Sequence, residues 1–400
     1  MRNRMCEDGT LEVFLEGRVD SGNADAFSDE LAALLEKTGA VRLTLNCAGL
    51  AYVSSAGLRV FLRLAKQLEA LRVDEVSSEV YEIFDVTGLA QILDVRKALR
   101  EVDVSGLELL GEGANGSVYR LTPDEMIKVF RPGLTLDDIE SEREASRHAF
   151  LLGVPCAIPF DTVRCGERYG TIYELLNAVT LSERIAADPS TLEDCAVQSA
   201  KMFKSLHAIE VPKDTLPDAK RSYYGRLSRI SDSFVPDENK QLRYLLDVIP
   251  PADRFVHNDY HPKNVMNSNG ELMIIDLGDA GSGNPLLDWI HSYLVFNLMG
   301  AAIRERADDE MSFVGITYGE LRRYWAIFTE TYLGSAERAT RVSALLEPWG
   351  WLVYLSASMS HPRLPKEYHP QYANLMREKV LAHYEEMIAS VDEMDGLLAL

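Results

Sequence analysis

Hydrophobic positions in the first hundred residues switch repeatedly between two periods. Leu11, Val13 and Leu15 alternate with Glu12, Phe14 and Glu16, and Val41, Leu43 and Leu45 repeat the alternation, so both segments are predicted to be strands. Between them, Phe27, Leu31, Leu34 and Leu35 fall at helical spacing. A second helix is predicted from Leu58, Phe61, Leu62, Ala65 and Leu68 on one stripe, with Arg59, Arg63, Lys66 and Glu69 off it. A further helical segment runs from Glu79 to Phe84. Beyond this unit come a glycine-rich turn between apolar stretches, a helix over Leu136 to Leu151, and a short apolar strand, Leu272 to Ile275. From Ile316 onward the pattern is mostly helical, and three of the four tryptophans (Trp325, Trp349, Trp351) lie there.

The second segment carries the candidate chemistry. His257-Asn-Asp-Tyr-His-Pro-Lys-Asn264 places Asp259 five residues before Asn264, and the strand that follows delivers Asp276 at its end. Phosphoryl transfer needs a carboxylate at the attacking hydroxyl, with an amide and a second carboxylate for the Mg²⁺ that bridges the nucleotide phosphates. A turn rich in Asn, Asp and Pro ahead of a buried strand is the structural alternative. Leu110 to Tyr119 fits G-x-G-x-x-G-x-V through Gly111, Gly113 and Gly116, a form that lets backbone N–H groups approach phosphates closely. Lys128 stands between apolar residues in Met126-Ile-Lys-Val-Phe130, and the following helix opens with Asp137, Asp138, Glu140, Glu142 and Glu144.

This set resembles the aminoglycoside phosphotransferase and choline kinase group, whose motif is HxDxxxxN followed by a D-[FL]-G-like turn; here the turn reads Asp276-Leu277-Gly278. The resemblance spans roughly residues 106 to 300 and implies a bilobal, protein-kinase-like fold that binds ATP and Mg²⁺. It implies that Asp259 is the catalytic or hydroxyl-orienting group, that Asn264 and Asp276 act in catalysis by holding Mg²⁺, and that Gly111, Gly113 and Gly116 cradle phosphates. Lys128 would contact those phosphates and take an acidic partner from the next helix. The Arg143-Glu144-Ala145 context points to Glu144, with Glu140 as the fallback. Gly170 to Leu176 resembles the strand and hinge between lobes, which puts adenine against backbone groups around Glu174 and Leu176. His257 and His261 are loop-shaping hydrogen-bonders, since Mg²⁺ prefers oxygen and two histidines make no zinc site. His207 reads as structural rather than catalytic, and Asp279 and Asp288 both resemble positions of the group, with helix capping or loop bracing explaining them as well. The departures from the group are Asn258 where glycine is common and Leu277 in place of phenylalanine.

The first hundred residues resemble a STAS domain, the module of sulfate transporters and anti-sigma factor antagonists. The matching pieces are Glu16-Gly-Arg-Val-Asp20, the strand Val41 to Asn46, the turn Ser54-Ser-Ala-Gly57, and Val86-Thr-Gly-Leu89. In the antagonists the turn reads D-S-S-G and its middle serine is phosphorylated, so Ser55 occupies the phosphorylatable place and Ser54 that of the aspartate. Helix capping by either serine is the other reading.

The 400 residues are therefore expected to form an α+β/α/β two-domain chain: a STAS-like domain over 1–100 and a phosphotransferase domain over 101–400, with an N-lobe at about 106–176 and a largely helical C-lobe at about 177–400. The junction, Arg100 to Gly106, has no Gly/Ser tract, so the two are expected to be held close, and alternating Val102 and Val104 could form a strand there. Net charge is −21, of which −4 lies in residues 1–100 and −17 in the remainder, a field that disfavours nucleic acid and anionic membranes and suits a cationic substrate. The N-terminus has no apolar run after its charges, and the longest apolar runs, at 293–303 and 350–359, fall short of a bilayer span of ~20 residues. Five scattered cysteines without a C-x-x-C pair point to core or surface thiols in a reducing cytoplasm. Only a short loop separates Asp276 from Asp288, and no A-P-E follows. The expectation is thus ATP- and Mg²⁺-dependent phosphorylation of a small-molecule hydroxyl, with a protein partner or regulation through the STAS unit. A protein serine/threonine kinase in a partner-switching pathway and a non-catalytic nucleotide-binding scaffold are the alternatives.

Overall fold

The chain divides into two compact units, Met1–Asp103 and Val104–Leu400. The computed structural model describes every residue except Ala114, Asn269, 300–309, Phe313, Arg363 and 399–400. The alanine of the glycine turn and the end of the apolar run at 293–303 thus lie outside the described residues.

The first unit is a five-stranded sheet in the order β1 (Asn3–Met5), β2 (Leu11–Val19), β3 (Arg42–Val53), β4 (Ala70–Val76), β5 (Asp94–Lys97). β1 runs antiparallel to β2 and the other neighbours are parallel. Parallel neighbours need crossovers, and these are α1 (Ala24–Thr38), α2 (Ser55–Gln67) and α3 (Ser78–Val86). Val13, Leu45, Phe61, Val73 and Phe84 are fully buried, with Phe61 and Phe84 edge-to-face at 5.5 Å. β3 runs seven residues past the expected Asn46, because a register shift opposite Phe14 and Glu16 lets pairing with β2 continue to Val53. The Ser-Ser-Ala-Gly turn ends on glycine for a packing reason: a Cβ on Gly57 would meet Val19 and Val53 at 2.8 Å. At the end of this unit lies β6 (Arg100–Glu101), two residues ahead of the expected Val102 strand position.

In the second unit, β7 (Leu109–Glu112), β8 (Gly116–Arg120) and β9 (Glu125–Phe130) lead into α4 (Leu136–Leu151), then β10 (Pro159–Cys165) and β11 (Arg168–Glu174). These five strands pair antiparallel in the order β10-β11-β9-β8-β7. α4 begins and ends where the sequence places it, its start fixed by a reciprocal capping box between Thr135 and Asp138. The rest is largely helical: β12 (Val179–Thr180), α5 (Leu181–Ala187), α6 (Leu192–His207), α7 (Arg221–Arg229) and α8 (Pro236–Asp247) come first. β13 (Arg254–Val256), β14 (Val265–Ser268), β15 (Glu271–Ile274) and β16 (Gly281–Gly283) carry the loops of interest, and β12-β14-β15 and β13-β16 form two small sheets. α9 (Leu286–Tyr293), α10 (Tyr318–Leu333), α11 (Ala336–Ser360), α12 (His369–Lys379) and α13 (Tyr384–Leu398) complete the chain. Phe203, Tyr260, Trp289, Phe328 and Tyr332 form an aromatic cluster in which Phe203 lies 4.5 Å from Tyr260 and Trp289 4.9 Å from Tyr332. Tyr260 belongs to the HxDxxxxN loop, so the core itself anchors that loop. Among the described residues, no helix is long and apolar enough to cross a membrane.

Candidate active site

The glycine turn combines one tight glycine with two open ones. A Cβ on Gly116 would lie 2.2 Å from the Val129 carbonyl, so no side chain fits there. Gly111 has open space on that side and Gly113 meets only the Gly116 carbonyl, at 4.0 Å. The Gly113 N–H donates to Gly116 O (2.9 Å), and Arg131, which sequence reasoning passed over, donates to Gly113 O (2.9 Å).

Lys128 lies on β9 between β8 and β11, an interior strand where a lysine needs partners. Its Nζ lies 2.7 Å from Glu142 Oε1 and 2.9 Å from Asp276 Oδ1. The expected partner, Glu144, is corrected: it pairs instead with Arg143 and Arg147, both at 2.9 Å, and Glu140 pairs with Arg143 at 2.8 Å. The reason is helical geometry. Ile139, Ser146 and Ala149 form the buried face of α4, and Glu142 sits three residues after the first and four before the second, whereas Glu144 lies off that stripe. That stripe was readable in the sequence and would have singled out Glu142. Burial pulls Lys128 down, but the Asp276 and Glu142 carboxylates more than offset it and hold its pKa above the ordinary value. Burial pushes Glu142 up despite Lys128, whereas at Asp276 the Lys128 ammonium overcomes burial and holds the carboxyl below its usual range.

The loop after β13 is braced from beneath by fully buried Asp288. Its carboxylate accepts from the His257 N–H (2.7 Å), the Asn258 N–H (2.5 Å) and His207 Nε2 (3.2 Å), while His207 Nδ1 meets the Tyr332 hydroxyl at 2.9 Å. His257 Nδ1 accepts from the Asp259 N–H (3.2 Å) and its Nε2 donates to Ile275 O (3.2 Å), one neutral tautomer serving both; burial accordingly lowers its pKa. Asn258 adopts φ +61°, a left-handed conformation that glycine and asparagine both tolerate. Its side chain is also used, accepting from Tyr223 Oη (3.1 Å) and donating to Asp279 O (3.1 Å). Asn264 Nδ2 donates to both Asp259 O (3.0 Å) and Asp259 Oδ2 (3.1 Å).

Asp259 keeps 32% of its side chain exposed. Its Oδ1 lies 3.5 Å from His261 Nε2 and 3.8 Å from His291 Nδ1, and burial holds both imidazoles neutral, with pKa values lowered to about 3. Desolvation, then the charges of Asp276 and Asp279, push Asp259 up to about 8. A cleft of about 790 Å³ adjoins it, lined by Gly111, Gly113, Gly116, Lys128, Asn264 and Asp276 among others. Leu176 lines this cleft with Leu175 and Asn177. Glu174 does not, and its N–H donates to Ile158 O (2.9 Å), as the Leu175 N–H does to Asp124 O (2.8 Å).

Two side chains of the cleft present oxygen suited to Mg²⁺. Asn264 commits its amide nitrogen to Asp259, which leaves Oδ1 uncommitted, and Asp276 engages Lys128 through Oδ1 only. Two protein oxygens suit an ion that retains water and binds substrate phosphates. Among the described residues, no group of three or more His, Cys, Asp or Glu offers a metal site. In the first unit, Ser54 caps α2 by accepting from the Gly57 N–H (3.5 Å), and Ser55 beside it is exposed. All five cysteines are free thiols, four of them buried.

Comparison with known proteins agrees with this division. Residues 4–110 match the STAS domain family. In that region the chain is 41% identical over 92 residues to a putative anti-sigma factor antagonist, BtrV, of Bordetella bronchiseptica, covering 22% of this chain and 78% of that protein. It is 28% identical to an anti-sigma-B factor antagonist of Bacillus subtilis, over 22% of this chain and 83% of that protein. Among solved structures, ADP-bound aminoglycoside phosphotransferase APH(2'')-Ib is 16% identical with a TM-score of 0.45, covering 77% of this chain and 99% of that one. A choline/ethanolamine kinase family protein from Mesorhizobium loti is 15% identical with a TM-score of 0.44, covering 72% and 93%. Residues 106–323, more than half of the chain, match the phosphotransferase enzyme family, APH, and the chain belongs to that family, with a STAS domain ahead of the phosphotransferase domain.

Proposed function

We propose that this protein transfers the γ-phosphoryl group of ATP, in the presence of Mg²⁺, to a hydroxyl of a small molecule, and that its STAS domain is a partner-binding or regulatory module. The observation that carries this reading is one cleft lined by Glu142, Lys128, Asp276 and Asn264: ion pairs of 2.7 and 2.9 Å join Lys128 to Glu142 and Asp276, and a 3.1 Å hydrogen bond ties Asn264 to the adjoining Asp259. In this reading the open side of the turn at Gly111 and Gly113 lets the phosphates approach the backbone closely and Lys128 neutralises them. Asn264 and Asp276 hold Mg²⁺, which neutralises charge on the phosphates. The acceptor oxygen forms a bond to the γ-phosphorus as the bond to the ADP oxygen breaks, and the hydroxyl proton passes to Asp259. Calorimetric titration tests the nucleotide site: the full chain binds Mg·ATP and Asp276→Ala weakens it, whereas well-folded wild type without binding would refute the proposal.

A second reading, a protein serine kinase in a partner-switching pathway, draws on the antagonist-like first unit and its exposed Ser55. Intact-mass measurement after incubation with Mg·ATP separates the two, because only the second adds a phosphoryl group to a STAS serine.

A further inference from the structure

We propose that the acceptor carries an anionic group, a carboxylate or a phosphate, which Arg226 binds next to Asp259. This rests on the phosphotransferase reading and narrows it. Arg226 lies on α7, whose buried Tyr223 donates its hydroxyl to Asn258 Oδ1 at 3.1 Å, so the helix is pinned to the catalytic loop one residue from Asp259. The Arg226 guanidinium lies 5.5 Å from the centre of the Tyr223 ring, and its charge reaches both Asp259 and His291.

The discriminating observation is the missing partner. The chain has 62 Asp and Glu against 41 Lys and Arg. Several of its other half-buried cations use that surplus: Lys128 has two carboxylates, Arg143 has two, Arg184 pairs with Asp194 at 2.9 Å, and Arg377 pairs with Glu238 at 2.6 Å, while Lys220 donates to the Ile249 carbonyl instead. Arg226 has no ion-pair or hydrogen-bond partner among the described residues, although it is half-buried beside the loop that holds Asp259. A guanidinium with no carboxylate of the described residues at ion-pair distance presents a planar fork of donors, the geometry that recognises carboxylate or phosphate.

His291 supplies the other half of the arrangement. Its Nδ1 is buried, has no hydrogen-bond partner, and faces Asp259 Oδ1 at 3.8 Å. A hydroxyl entering between a neutral imidazole and a carboxylate can bond to both, leaving the rest of the acceptor toward α7. An ammonium-bearing acceptor would there meet a like charge, the reverse of what the net charge of −21 favours.

The test uses the full chain with the non-hydrolysable analogue Mg·AMP-PNP and four acceptors on one three-carbon skeleton: glycerol, serinol, glycerate and glycerol phosphate. Calorimetric binding is the readout, so it does not depend on turnover. Glycerate or glycerol phosphate is expected to bind at least about tenfold more tightly than glycerol or serinol, and whichever of the two leads identifies carboxylate or phosphate as the group held. Arg226→Gln is expected to abolish that preference, a loss of about ten- to a hundredfold, and Arg226→Lys to keep part of it. Equal or tighter binding of serinol, no binding of any of the four, or an anion preference that survives Arg226→Gln would overturn the inference. So would a fall in AMP-PNP affinity with acceptor preference unchanged, since Arg226 would then serve the nucleotide. Anion preference without phosphoryl transfer to any bound acceptor would instead count against the phosphotransferase reading alone.

Discussion

The two units bury different things. In the first, the described buried side chains are apolar with one exception, Glu12, which Arg4 and Asn46 bond near the surface. In the second, His207, His257, Asn258, His261, Asn264 and Asp288 are all buried. Apolar packing tolerates many sequences, so an apolar unit can serve at its surface, as a binding module does. Buried ionisable groups are costly unless each is matched, and they persist where geometry must be exact to within a few tenths of an ångström. The difference separates a unit that presents a surface from one that holds chemistry inside.

The largest expected effect tests whether buried charge serves chemistry. Asp259→Asn is expected to lower turnover by about a thousandfold while Mg·ATP affinity is kept, because Asp259 acts on the acceptor; equal turnover would break the comparison. The same change should stabilise the protein. Asp259 has a folded-state pKa raised to about 8, so between the ordinary carboxylate range and pH 8 the folded state holds more protons than the unfolded one and stability falls as pH rises. Removing that charge is expected to add about 1–2 kcal/mol at pH 8 and nothing at pH 4, read by denaturant unfolding at the two values. Turnover itself should fall as pH drops through the Asp259 pKa, at a value that bound Mg²⁺ moves below 8.

Next in size come two core substitutions, one in each unit. Asp288→Ala leaves the His257 and Asn258 amides and His207 without their acceptor and is expected to cost about 3–5 kcal/mol. Phe61→Ala opens a cavity in the first unit and is expected to cost a similar ~3–5 kcal/mol. Scanning calorimetry should show each lowering a different transition. Asp288→Ala should also reduce turnover, and Phe61→Ala should not.

A smaller effect separates two glutamates two residues apart. Glu142→Gln is expected to raise KM for ATP about tenfold by removing one of two carboxylates at Lys128, whereas Glu144→Gln, which pairs only with Arg143 and Arg147, stays within about twofold. The smallest concerns Ser55. Comparing kinetic constants of the full chain, a chain beginning at Val104, and Ser55→Asp is expected to show changes of a few-fold if the first unit regulates the second; identical constants would leave it as a partner-binding module alone.

Much of this was legible beforehand, and the particular elements show why. The start of α4 was placed correctly because Thr135 and Asp138 cap it within one turn. The strands and helices of the first unit follow a period of two giving way to one of 3.6, and only the extension of β3 depended on extra residues bulged within β3 itself. Asp259 and Asn264 lie five residues apart, so their hydrogen bond is a property of one loop. Glu144 was misassigned because its arginine context weighed more than the buried stripe that names Glu142. Arg226 and His291 carried no local signal at all.

What the sequence by itself determined is the inventory of reacting groups, their order, and the face each occupies on its own helix or in its own loop, since side-chain periodicity and turn chemistry act over a few residues. What only the tertiary structure decided is which groups from distant elements meet: Lys128 with Asp276 across 148 positions, Asp288 with the backbone of the HxDxxxxN loop, Arg226 near Asp259 without a close ion pair among the described residues. Those pairings depend on how the aromatic cluster of Phe203, Tyr260, Trp289 and Phe328 seats the loop against its helices, and packing of that kind follows from shape and volume in three dimensions, which no local pattern records.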